Sequence, residues 1–120
     1  MIALLGNPNS GKTALFNILT GLNQKVSNYP GVTVEQILGT AKFGENSFKI
    51  LDLPGTYSLT PESLDEAIVS QEFAKWAKGD DIPNCIISVV DSTNLERNLY
   101  LTTQLIDLGI PIIIDRKSVV

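Results

Sequence analysis

The sequence predicts an α/β domain, a layered and mostly parallel sheet with one antiparallel edge strand. Three observations carry that expectation. The apolar strand Ile2-Ala3-Leu4-Leu5 runs through a glycine-bounded loop into a segment with apolar residues at helical spacing. Strand-like segments flank the turn residues Gly44-Glu45-Asn46, which predicts a hairpin. The apolar run from Ile86 to Val90 suits a parallel strand covered on both faces, and a helix then leads to a final strand at Ile110 to Ile114.

Taken in order, the first helix holds Ala14-Leu15-Phe16-Asn17-Ile18-Leu19 and stops at Gly21. Asn23 to Gly31 is polar and turn-rich and reads as a mobile loop, with Asn28-Tyr29-Pro30-Gly31 its strongest turn signal. Val32 to Phe43 reads as a strand broken at Gly39, and Ser47 to Leu51 as its returning partner. Thr60-Pro61-Glu62 places a capping residue before a proline at the first helical position, and the helix runs through Ile68, Phe73 and Trp76 to Gly79. Thr93-x-x-Glu96 offers a capping box for a third helix that would bury Leu95, Leu99, Ile106 and Leu108 and stop at Gly109. The order is βα, a hairpin, then αβαβ, with no internal repeat.

A chain of 120 residues is expected to form a single domain over residues 1–120, with one core. With 9 basic and 13 acidic residues and no basic run, nothing tracks a nucleic acid backbone, so no nucleic acid partner is expected. The single cysteine, Cys85, begins an apolar run and reads as small core filler in a reducing compartment. No stretch approaches the roughly 20 apolar residues that span a bilayer, and the first residues are a core strand rather than a signal peptide. The chain is expected to be soluble and cytoplasmic.

Gly6-Asn7-Pro8-Asn9-Ser10-Gly11-Lys12-Thr13 matches the phosphate-loop pattern G-x-x-x-x-G-K-[ST] between strand and helix. A triphosphate leaving water needs many donors and little bulk. Gly6 and Gly11 can take positive φ and present backbone N–H groups beside a helix N-terminus. Lys12 would reach the β and γ phosphates, and the Thr13 hydroxyl would ligate Mg²⁺. A bare glycine loop is as readily a tight turn; Lys-Thr at the helix start and the correct flanks favour the phosphate reading.

Asp52-Leu53-Pro54-Gly55 follows the strand ending Lys49-Ile50-Leu51, so its carboxylate belongs at the carboxyl end of the sheet, where it could hold a magnesium water. The Gly55 N–H could sense a γ-phosphate. Alone, Asp-x-Pro-Gly is a common turn; about forty residues after a phosphate loop, it fits the acid that such nucleotidases need. Thr33 could close over Mg²⁺ and the attacking water, while by itself it reads as a solvent-facing strand threonine.

Together with Asn28-Tyr-Pro-Gly-Val-Thr-Val-Glu35, Asp52-Leu-Pro-Gly-Thr-Tyr-Ser-Leu59 and Asp91-Ser-Thr-Asn-Leu-Glu-Arg-Asn-Leu-Tyr-Leu101, the loop makes the chain resemble the N-terminal G domain of the FeoB family, prokaryotic ferrous iron transporters, from residue 1 to about 114. The resemblance implies a Ras-like P-loop fold and Mg²⁺-dependent GTP hydrolysis. It also implies switch loops around Thr33 and around Asp52 to Leu59, and attachment to a membrane-embedded iron permease on its cytoplasmic side. It implies that Gly6, Asn7, Pro8, Asn9, Ser10, Gly11, Lys12, Thr13 and Ala14 contact GTP or GDP, with Gly31, Val32, Thr33, Asp52 and Gly55. Lys12, Thr33 and Gly55 would be catalytic, Thr13, Thr33 and Asp52 would hold Mg²⁺, and Asn9 would hold a stimulating K⁺ with carbonyls near Ser27 to Tyr29. Thr56 stands where a water-orienting glutamine would follow Gly55, so turnover without K⁺ should be slow.

The family's guanine-reading Asn-x-x-Asp is not found after Ile112-Ile113-Ile114; the chain reads Asp115-Arg116-Lys117-Ser118-Val119-Val120. The expectation is a C-terminally incomplete domain, lacking the last strand and helix, with an uncovered edge that could self-associate. The competing readings are a nucleotide-binding or interaction fragment without base selectivity or turnover, and a P-loop ATPase or small-molecule kinase, which leaves the paired switch signatures unexplained. A ribosome-associated GTPase would usually bring a basic surface that this acidic chain lacks.

Overall fold

A computed structural model of the chain describes residues 1–6, 11–55, 63–91, 103 and 106–117. The described strands are β1 (Ile2–Gly6), β2 (Gln24–Asn28), β3 (Glu35–Phe43), β4 (Asn46–Asp52), β5 (Cys85–Asp91) and β6 (Ile112–Lys117), with helices α1 (Lys12–Thr20) and α2 (Leu64–Ala77). They form one six-stranded sheet in the order β2-β3-β4-β1-β5-β6. β1 pairs parallel with β4 and β5, β5 pairs parallel with β6, and the β2–β3 and β3–β4 pairings are antiparallel. The expected mostly parallel sheet is present. Its one reversed strand, β3, is not at the edge, because β2 lies outside it.

β1 divides the core by the period of a strand. Ala3 and Leu5 join Leu51, Leu53, Val69, Phe73, Trp76 and Ile86 on the α2 face. Leu4 joins Phe16, Ala41, Ile50 and Val89 on the α1 face. Trp76 stacks on Phe73 with ring centroids 5.0 Å apart, which covers the sheet near α2.

Several boundaries differ from the sequence expectation. Residues 24–28, expected to be loop, form β2; all five side chains are exposed, and a strand held by its ladder to β3 needs no apolar pattern. β3 starts at Glu35 rather than Val32, because Gly31, with φ 77°, turns the chain just before it. β3 is not broken at Gly39. That glycine pairs with Ile50 and with Gln24, and a Cβ there would lie 2.4 Å from Thr20 Cγ2 and 2.7 Å from Phe16 Cζ, so its smallness lets α1 lie on the strand.

α2 starts at Leu64 with Ser63 as its cap, the Ser63 hydroxyl oxygen accepting from the Glu66 N–H at 3.2 Å; Thr60-Pro61-Glu62 lie outside the described residues. Thr93, Leu95, Glu96 and Leu99 also lie outside them. Thr103 and Ile106 are helical, and Gly109 ends that stretch with φ 73°. Ile106, expected in the core, is 61% exposed, whereas Leu108 packs against the core. β6 begins at Ile112 rather than Ile110: Pro111 has no N–H to give the ladder, although its carbonyl accepts from the Ile86 N–H at 2.9 Å.

Candidate functional site

The site grows from two neighbouring parallel strands that end on the same side of the sheet. Register places Leu4 of β1 beside Asp52 of β4, and the Leu53 N–H donates to the Leu4 carbonyl at 3.1 Å. Asp52, the last residue of β4, is thereby brought to the mouth of the loop that leaves β1 at Gly6 and returns at α1. Ligand sites of open α/β sheets form at such carboxyl ends.

α1 enters through Gly11, whose φ of 90° is left-handed, and no side chain caps its first turn. The free N–H groups at that end and the positive end of the helix dipole are suited to an anion. Gly6 does not share the left-handed role: it is the last residue of β1 and pairs with Val89. Lys12 is the first helical residue and is 9% exposed; its ammonium donates to the Asp52 carboxylate, which is 6% exposed. Each charge compensates the other where water is scarce.

A cleft of about 420 Å³ is lined by Lys12, Thr13, Thr33 and Asp52, with Val34, Glu35, Ile37, Leu53, Pro54 and Asp65. Four of the residues singled out in the sequence are thus brought together. Gly55 follows Pro54 and is half-buried but does not line the cleft, nor do Gly31 and Val32; Ala14 is exposed on the first turn of α1. Asn7, Pro8, Asn9 and Ser10 lie outside the described residues.

Three contributors were not singled out from the sequence. Asp65, in the first turn of α2, and Glu35, the first residue of β3, add carboxylates to the cleft wall. The Tyr29 side chain was given no role by the sequence, only its turn and the K⁺-shell carbonyls near it, yet the residue is 6% exposed and its hydroxyl is buried without a hydrogen-bond partner. Burial first, and then the carboxylates of Glu72 and Asp52, push its phenol well above the ordinary range. Nothing in a Tyr-Pro-Gly turn signals that the aromatic ring will be buried.

Among the described residues no group of three or more His, Cys, Asp and Glu side chains forms a metal cluster. Thr13, Thr33 and Asp52, which line the cleft, carry hard oxygen donors of the type that suits Mg²⁺, an ion that keeps several of its own waters. The residues present fit that ion. Cys85, expected as core filler, is only half-buried at the start of β5 and joins neither core cluster; burial raises its thiol pKa. No described helix is long and apolar enough to cross a membrane.

The strand order, the helix entry at Lys12 and the acid at the end of β4 define a Ras-like G domain. The chain belongs to the FeoB_N family, ferrous iron transport protein B, which it matches over residues 1–117. It is an N-terminal FeoB G domain. It is 50% identical over 113 residues to the Fe(2+) transporter FeoB of Escherichia coli O157:H7, covering 94% of this chain and 14% of that protein. The G domain of the T. maritima FeoB iron transporter superposes with a TM-score of 0.83 at 43% identity, over 96% of this chain and 69% of that one. A mutant of S. thermophilus NFeoB bound to GDP superposes with a TM-score of 0.81 at 52% identity, over 94% and 42% of the two chains. The chain spans only 13% to 15% of the length of the curated relatives it matches.

Proposed function

We propose that residues 1–120 form a single, partial G domain that binds GTP and GDP and hydrolyses GTP slowly, as the regulatory switch of a ferrous iron transporter. The observation that carries this reading is the buried Lys12–Asp52 ion pair at a cleft that Thr13 and Thr33 also line. A paired lysine and aspartate at the start of a helix and the end of the neighbouring strand supply the phosphate-binding cation and the magnesium-side acid of P-loop nucleotidases. The GDP bound to the S. thermophilus relative supports guanine as the base.

In this reading Lys12 leaves Asp52 for the β and γ phosphates, and the uncapped start of α1 adds backbone donors. Thr13, Thr33 and Asp52 would hold Mg²⁺, which when bound neutralises charge developing on the phosphoryl oxygens. Thr33 closes on the attacking water, and the Gly55 N–H meets the γ-phosphate. Asn9, with carbonyls near Ser27 to Tyr29, would hold K⁺, placing positive charge where an arginine finger acts in other G domains. The remainder of the transporter, a membrane-embedded permease, would lie beyond this domain, which faces the cytoplasm.

A second reading, a nucleotide-binding or interaction fragment without base selectivity or turnover, is favoured by one observation. β6 runs through Asp115-Arg116-Lys117 with no asparagine to begin a guanine-reading motif. Ile113 and Ile114 on this edge strand are 56% and 49% exposed, which would favour self-association.

A competition titration of a fluorescent guanine nucleotide against GTP and ATP, in Mg²⁺ with K⁺ or Na⁺, separates the two readings. Preference for GTP with turnover stimulated by K⁺ supports the switch. Equal affinities without turnover support the fragment, and binding of neither nucleotide removes both.

A further inference from the structure

The nucleotide chemistry gives the Tyr29 backbone a place but does not explain why its ring is buried. From Gly21 to Leu38 every residue is described, and Tyr29 alone is buried. The stretch includes β2, with all five side chains exposed, and the turn that carries Thr33. Full burial in this segment thus falls on one aromatic side chain, while Ile37 and Leu38, at its β3 end, pack partly buried against the two core clusters.

The backbone of the same residue closes the turn. Its N–H donates to the Val34 carbonyl at 3.0 Å, and its carbonyl accepts from the Val32 N–H at 3.2 Å. Pro30 to Thr33 thus loop out from Tyr29 and return to it, through Gly31 at φ 77°. Thr33 reaches the cleft from the far side of that loop. An aromatic ring removes a large apolar area from water, so burial of Tyr29 fixes the root of the loop, and the two backbone bonds fix its shape.

The hydroxyl counters this. It is buried with no partner, in a region where Glu72 and Asp52 are the nearby charges. An unmade hydrogen bond on a buried polar group favours any conformation that returns the group to water. The ring therefore holds the loop, and the hydroxyl weakens that hold.

We propose that Tyr29 is the positioning residue of the Thr33 loop, a releasable anchor whose ring seats Thr33 at the cleft and whose unpaired hydroxyl allows the loop to leave. The role rests on the reading of Thr33 as the residue that closes on the nucleotide. The field of two carboxylates, one of them Asp52 in the site itself, ties the anchor to the group that would change partners when phosphate enters. No contact between Tyr29 and nucleotide is required.

Amide hydrogen exchange on the nucleotide-free chain tests the anchor without any nucleotide. Removing the hydroxyl in Tyr29→Phe should slow exchange at position 29 and at Val32 about tenfold, the effect expected of relieving one unsatisfied buried group. Tyr29→Leu should speed exchange at the same two positions about tenfold, leaving the Leu15 amide, which donates to the Gly11 carbonyl in α1, unchanged. Unchanged rates in Tyr29→Phe, or a change shared equally by Leu15, would overturn the anchor, and Tyr29→Phe decides the matter even if Tyr29→Leu does not fold. Fluorescent nucleotide titrations then test the coupling: Tyr29→Phe should alter the ratio of non-hydrolysable GTP-analogue to GDP affinity in Mg²⁺ several-fold while leaving GDP affinity within about twofold. An unaltered ratio overturns the coupling to Thr33. A wild-type chain that binds neither nucleotide overturns the proposed function, and the exchange rates still decide the anchor.

Discussion

Lys12 and Asp52, 40 residues apart in sequence, are ion-paired in the floor of the candidate site, and each is at least nine-tenths buried. The pair is local to the fold and remote in the chain, because parallel pairing of β1 and β4 delivers Asp52 to the start of α1. It also accounts for how two charges are tolerated where water is scarce. Asp52 neutralises Lys12, so neither buried charge is left without a partner.

Lys12→Ala should weaken triphosphate binding at least about 100-fold and lower Tm, since breaking a buried charge pair costs about 3–5 kcal/mol. Isothermal titration and a thermal melt check the two effects. Unaltered nucleotide affinity would remove the phosphate role of Lys12.

Gly39→Ala should destabilise the chain by about 1–3 kcal/mol, the usual cost of forcing a methyl group into a packed core. Its Cβ would stand 2.4 Å from Thr20 Cγ2, a side chain held in place by donation from its own hydroxyl to the Phe16 carbonyl at 2.8 Å. Urea unfolding measures the loss. A wild-type midpoint would mean that α1 shifts off β3 at no cost.

Alkaline pH should unfold the chain earlier than a tyrosine-free reference would suggest. The Tyr29 phenol is raised in the folded state, so above pH about 10 the unfolded chain loses that proton first and folding stability falls as pH rises. Below that pH the contribution is fully present. Tyr29→Phe should flatten the decline between about pH 10 and 11.5 in pH-dependent melts.

Asn9→Ala should abolish K⁺ stimulation of GTP hydrolysis while leaving GDP affinity within about twofold, because a cation that acts on transition-state charge contributes little to ground-state binding. Turnover in K⁺ against Na⁺ is the measurement. Stimulation that persists would move the ion to other ligands.

Sequence pattern alone determined the α/β class, the hairpin, the phosphate-loop pattern and the family, because each depends on local spacing. Gly-Lys-Thr after a strand and Asp-x-Pro-Gly after another are readable without knowing how the strands are ordered. Tertiary structure decided the rest. β2 was hidden because an edge strand held by backbone bonds needs no alternation of side chains, and the break expected at Gly39 proved to be the contact surface for Phe16 and Thr20. Ser63 caps α2, its hydroxyl oxygen meeting the Glu66 N–H, a pairing that sequence spacing did not single out. Only the folded chain shows Tyr29 as the one fully buried side chain between Gly21 and Leu38 and Lys12 meeting Asp52: burial and charge pairing are set by strand order, a long-range property absent from any short window of sequence.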